Sequence, residues 1–144
     1  MGFLLENIET IEALEVGAGS SAVLPLGGFV KGDPIVLTTY KAGREATSVT
    51  QKVHGICQGS LVYPYTNKVI PVATEGQAEV TAAAAIAIND YVILDATDKR
   101  TFTPATIDSS GGATTERQAF RALSPAAAAG DKFIIDLDPV SIAI

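Results

Sequence analysis

The sequence predicts one all-β domain, and three observations predict it. Short runs rich in Val, Ile and Thr are interrupted every few residues by Gly, Pro, Asn and Asp, the pattern of strands joined by tight turns. One turn-into-strand signature recurs three times along the chain. The length, 144 residues, is that of one domain and buries about two-thirds of its unfolded surface without a staple. The expected architecture is a compact small β-barrel or β-sandwich-like domain with short Ala-rich helical turns and an extended N-terminal arm.

Three parts follow in chain order. Residues 1–22 form the arm. In it Leu4, Ile8, Ile11 and Leu14 share one helical face, while Glu6, Glu9, Glu12 and Glu15 recur every third residue. A short helix packed on its own body, a segment docked on a neighbour and a disordered lead all remain open for it. Residues 23–138 form the β-rich body, with the clearest strands at 35–40, 68–72, 91–95, 101–103, 118–123 and 132–137. Phe133, Ile135 and Leu137 alternate with Ile134, Asp136 and Asp138, the mark of a half-exposed strand. Pro71 within its run points to an edge or a bulge. The stretch Asp95-Ala96-Thr97-Asp98-Lys99 is expected to close a hairpin. Residues 106–116, with Ser109-Ser110-Gly111-Gly112, read as a loop tip. Residues 139–144, Pro-Val-Ser-Ile-Ala-Ile, are read as an apolar tail.

The recurring signature is Gly32-Asp33-Pro34-Ile35-Val36-Leu37, Asn89-Asp90-Tyr91-Val92-Ile93-Leu94 and Gly130-Asp131-Lys132-Phe133-Ile134-Ile135. Gly or Asn tolerates positive φ, Asp bonds back into the turn, and a strand follows. The last two copies come after alanine-rich runs at 82–87 and 126–129, each read as one or two helical turns stopped by the Asn or Gly. The spacings are unequal, which excludes a solenoid.

Composition narrows function. The net charge is −6, and Lys and Arg are scattered. A nucleic-acid or anionic-membrane partner needs a basic stripe, so neither is expected. Charged residues are 18% of the chain against about 25% typically, a hint that a partner covers part of the surface. One cysteine, Cys57, precludes an intramolecular disulfide. No run of about 18 apolar residues exists, and the first residues lack the basic start and apolar core of a secretion signal. A cytoplasm is the expected place of synthesis. Met1-Gly2 is not read as a myristoylation site, because position six is Glu6.

The search for chemistry yields little. His54-Gly55-Ile56-Cys57 pairs a base with a thiol, but within an apolar, strand-like run that favours a buried thiol and a satisfied histidine. Two soft ligands are too few for zinc. Gly17-Ala18-Gly19-Ser20-Ser21-Ala22 imitates a dinucleotide fingerprint, yet Val23-Leu24-Pro25 follows where a helix is required. Asp95, Asp98, Asp136 and Asp138 lack the glycine and distal glutamate of a calcium loop. No enzyme, cofactor or metal is expected. Tyr63-Pro64-Tyr65 reads either as a loop over the sheet end or as a partner contact.

Several of these stretches together resemble the capsid cement, or head decoration, proteins of tailed bacteriophages. They are Val72-Ala73-Thr74-Glu75-Gly76, the Ala-rich segment, Asn89-Asp90-Tyr91-Val92-Ile93-Leu94-Asp95, Lys99-Arg100-Thr101-Phe102-Thr103, and the ending Arg121-Ala122-Leu123 with Ala126-Ala127-Ala128-Ala129-Gly130-Asp131-Lys132-Phe133-Ile134-Ile135. The resemblance covers residues 25–138. The chain departs from the pattern at Asn89, in the loop 106–116 and in its acidic arm.

The resemblance implies a β domain on the virion's capsid exterior that bridges major capsid protein subunits and self-associates as a homotrimer at local three-fold positions. Phe3, Leu4, Leu5 and Ile8 are the expected arm anchors, and Tyr63 and Tyr65 a second partner contact. Removing residues 1–16 is expected to weaken capsid binding and spare the fold. The alternatives are a tail or head-completion protein, or a stand-alone ligand-binding module. The low aromatic content, 6% with no Trp, argues against the module.

Overall fold

The computed structural model describes residues 10–17, 28–62, 68–107 and 116–144. Among them the protein is all-β, without a helix. The first half carries β1 (Thr10–Val16), β2 (Gly28–Phe29), β3 (Pro34–Thr39), β4 (Ala42–Glu45), β5 (Gly55–Cys57), β6 (Leu61–Val62) and β7 (Val69–Glu75). The second carries β8 (Gln77–Thr81), β9 (Tyr91–Leu94), β10 (Phe102–Pro104), β11 (Glu116–Arg121), β12 (Lys132–Asp136) and β13 (Val140–Ala143).

The first half closes into a five-stranded barrel, β1-β4-β3-β5-β7. The junction of β1 with β4 is parallel and the others are antiparallel. The second half repeats the plan. β8 meets β10 through the parallel bridge Ala82↔Phe102, β10 pairs β9, and β9 pairs β11. β11 meets β12 through Ala122↔Ile135, and β12 pairs β8. Registers match position for position. Val16↔Gly43 corresponds to Ala82↔Phe102, Ile35↔Gly55 to Val92↔Phe120, Cys57↔Val72 to Ala122↔Ile135, and Leu14↔Ile70 to Val80↔Phe133. The small β2–β6 pair, Phe29↔Leu61, corresponds to the bridge Ile86↔Ala126. The molecule is therefore two tandem barrels built on one topology.

The signature turns build both. Gly32, Asn89 and Gly130 have φ of 101°, 73° and 91°, the left-handed region that Gly and Asn tolerate best. In each turn the next Asp accepts from an amide three residues back: Val30 N to Asp33, Ala87 N to Asp90, and Ala128 N to Asp131, at 2.9, 2.9 and 3.1 Å. The residue then enters β3, β9 or β12 with its register fixed.

The two interiors are filled differently. Leu14, Phe29, Ile35, Cys57, Leu61, Ile70 and Val72 fill the first barrel. The second holds Val80, Val92, Leu94, Phe133 and Ile135 around Phe102 and Phe120, whose rings meet edge to face with centroids 6.0 Å apart. Gly43 and Gly55 occupy the positions of those two phenylalanines in the first barrel. A Cβ on Gly43 would lie 2.8 Å from Ile35, and one on Gly55 would collide with Val72 and the Ala73 carbonyl.

Among the described residues, an apolar seam and polar ties from Gln118 and Arg100 join the barrels. Val36, Ile56 and Ala73, which alternate with inward residues of the first barrel, belong to the same buried cluster as the second barrel's interior. The Gln118 side chain accepts from Val53 N at 2.7 Å and donates to Val53 O at 3.1 Å. Arg100, in the β9–β10 hairpin, donates through Nε to Asp33 Oδ1 at 2.8 Å and through Nη2 to Asp33 Oδ2. Asp33 is 4% exposed, so this pair is desolvated and geometrically forked.

The structure corrects several expectations. Thr10–Val16, assigned to the arm, is a barrel strand bonded on both sides, with Leu14 inward and Ile11, Ala13 and Glu15 outward. Removing residues 1–16 would therefore delete a wall of the barrel. The alanine runs are bends, not helical turns. Their backbones are claimed by sheet partners: Ala82 N donates to Asp131 O, and Ile86 and Ala126 exchange both bonds. Residues 139–144, read as a tail, contain β13, which extends the line of β12 along β11. Pro71 lies in the central strand β7 rather than at an edge or bulge. Its carbonyl accepts from Gln58 N at 2.7 Å, so its nitrogen faces the side where β5 has ended and no ladder bond with β1 is lost.

Candidate interaction site

The residues with reactive side chains are engaged in structure. Cys57 is fully buried in the first barrel and donates to Gly59 O at 2.9 Å. Burial pushes its pKa up to about 11, so the thiol stays protonated at neutral pH and is a poor nucleophile. His54 lies just ahead of β5 and is engaged elsewhere. Its Nε2 meets Glu12 Oε1 at 2.8 Å, tying the lead-in of β5 to β1. Asp95 Oδ2 accepts from the amides of Thr97 and Asp98, and Asp98 Oδ1 from Arg100 N, which makes both carboxylates hairpin braces. The hairpin itself pairs β9 with β10 as expected. Among the described residues, no three His, Cys, Asp or Glu side chains gather where they could hold a metal ion.

Gly17 opens the glycine-rich stretch that imitates a dinucleotide fingerprint. It continues β1, donating to Gly43 O at 2.6 Å in strand geometry rather than entering a helix. Residues 18–22 lie outside the described residues. The same is true of Phe3, Leu4, Leu5 and Ile8, and of Tyr63 and Tyr65, which fall between β6 and β7.

The surface feature that stands out is on the first barrel. Ile11 and Ala13 of β1, and Val69 and Pro71 of β7, project from the outer side of one strand pair, with Ala13 directly opposite Pro71. Ile11 is 51% exposed and Val69 49%, a large fraction for branched aliphatic side chains on neighbouring strands. At the far end of β1, the β3–β4 turn carries Tyr40, 87% exposed, with Lys41 Nζ 5.5 Å from its ring centre. That turn is tied to the face through Glu15 N, which donates to Lys41 O at 2.9 Å.

The equivalent face of the second barrel is polar. Register places Gln77, Glu79, Lys132 and Ile134 where the first barrel has Ile11, Ala13, Val69 and Pro71. Lys132 Nζ there reaches Thr81 Oγ1 at 2.6 Å. The sequence reading missed this face because it placed Ile11 in the arm, where a packed helix, a docked segment and disorder all stayed open, and not in a strand of the body.

No protein-family model matches the chain, and no curated protein matches it.

Proposed function

We propose that this chain is a structural virion protein that binds the outside of an assembled phage head and stabilises it by bridging major capsid subunits, without catalysis. The observation that carries this reading is that the first barrel presents an exposed apolar face suited to contact with another protein chain, in a molecule whose described thiol, imidazole and clustered carboxylates already serve its own turns and core. Such a surface suits contact rather than turnover. The resemblance across residues 25–138 supplies the setting. An acidic chain, net −6, suits the outside of a shell better than its DNA-lined interior. Many copies on one shell let modest contacts sum.

Phe3, Leu4, Leu5 and Ile8 remain the proposed capsid anchors of the arm, and Tyr63 and Tyr65 a second proposed contact. Because β1 begins at Thr10, the truncation that tests the arm removes residues 1–9 and leaves the barrel wall intact. The decisive experiment mixes purified protein with heads that lack it, sediments them and counts bound copies. Saturation at a fixed ratio to the shell subunit is expected. Failure to bind intact heads overturns the proposal in favour of a tail or head-completion role, or of the ligand module.

A further inference from the structure

We infer that the outer face of β1 and β7 is the surface through which two copies of this chain meet. The inference deepens the proposed shell role in one respect, self-association. Its test uses the free chain, so either can fail without the other.

The first argument is internal to the molecule. Two barrels of one topology and register face the same folding demands at equivalent positions. The second barrel satisfies them with Gln77, Glu79 and Lys132, so the fold does not require apolar side chains there. Ile11, Ala13 and Val69 at the matching positions of the first barrel therefore serve something outside the fold. The barrel-to-barrel seam, built on Val36, Ile56 and Ala73, borders this face where Ile11 pairs Ala73, yet it leaves Ile11 51% exposed and Val69 49% exposed.

The second argument selects the occupant. The chain carries a net charge of −6, so copies repel one another over most approaches. This face is locally balanced. Glu15 and Lys41, both exposed, sit side by side at its end, and its centre is uncharged. A surface carrying its own acid, its own base and an apolar centre is complementary to itself, whereas a site for a strongly charged partner would present one sign. Tyr40, almost wholly exposed beside that pair, adds a side chain of the kind that anchors protein contacts. Sheet faces meeting this way stack about 10 Å apart, as in a sandwich.

The test transplants the second barrel's residues into the first: Ile11→Gln with Val69→Lys. Both positions are half exposed and both replacements occur on the same topology, so the variant is expected to fold, as its circular dichroism and thermal melt would report. Sedimentation velocity of the full chain over a wide concentration range is then compared with wild type. The expected result is a concentration-dependent oligomer for wild type and an association midpoint raised at least about tenfold in the variant. Wild type that stays monomeric throughout overturns the inference. If that monomer binds heads and the variant does not, the face belongs to the capsid subunit instead. An oligomer unchanged by the substitutions also overturns it, by placing the contact elsewhere.

Discussion

The two barrels differ most where they are most alike in plan. Gly43 and Gly55 in one stand where Phe102 and Phe120 stand in the other, yet the pairings around them keep the same register. What they share is the turn device, a left-handed Gly or Asn followed by an Asp that accepts from the chain behind it. Topology here is specified by turns and register, and side-chain volume is redistributed within that frame. The outer faces teach a second lesson. Val36, Ile56 and Ala73 of the first barrel form the seam, while their counterparts Ile93, Arg121 and Asp136 include two charged residues. The second barrel thus presents a more polar outer face than the one that forms the seam.

Breaking the comparison at its most different point should have the largest effect. Phe102→Ala removes half of the edge-to-face pair from the second barrel and is expected to destabilise by about 3–5 kcal/mol, read from urea unfolding. Arg100→Ala should come close behind, at about 3–4 kcal/mol, because it strands the buried Asp33 carboxylate. A double-mutant cycle with Asp33→Asn would isolate the tie between barrels. Gly55→Ala is expected to cost about 1–3 kcal/mol, since its Cβ meets Val72 and backbone, whereas alanine is already accommodated next to Phe120 at Ala119.

Cys57 gives the smallest of these effects near neutrality and a pH signature. Its folded pKa, about 11, lies above the ordinary thiol value near 9, so folding favours the protonated form. The contribution is intact below about pH 9 and is lost as pH rises toward 11, by roughly 2–3 kcal/mol. Cys57→Ala should flatten that part of the stability profile relative to wild type. Native wild type should also resist thiol reagents at neutral pH.

Much of this fold was legible because it is written in local chemistry. The Gly/Asn-Asp turns, the Asp95–Lys99 hairpin and the alternation of Phe133, Ile135 and Leu137 are short-range signals, and each appears in the structure. The tandem plan was not legible, because only the turns repeat in sequence while core residues trade glycine for phenylalanine. β1 was hidden for another reason: glutamates at every third position imitate a helical stripe, whereas pairing to β4 and β7 decides its conformation. The alanine runs lost their helical turns to the same force, ladder bonds from Asp131 and Ala126. The contact residues that the sequence reading offered, in the arm and at Tyr63 and Tyr65, lie outside the described residues. The outer face of β1 and β7 depends on residues about sixty positions apart meeting across a strand pair, which no local pattern reveals.

The central claim is that two barrels share a plan and only the first carries the contact surface. Hydroxyl-radical footprinting of the free chain, dilute enough to be monomeric, against the chain bound to phage heads tests it most directly. The account predicts that Ile11, Tyr40 and Val69 become protected on the head while Ile88, the most exposed large aliphatic residue of the second barrel, keeps its reactivity. Equal protection of both barrels, or protection of Ile88 with Ile11 and Val69 unchanged, would contradict it.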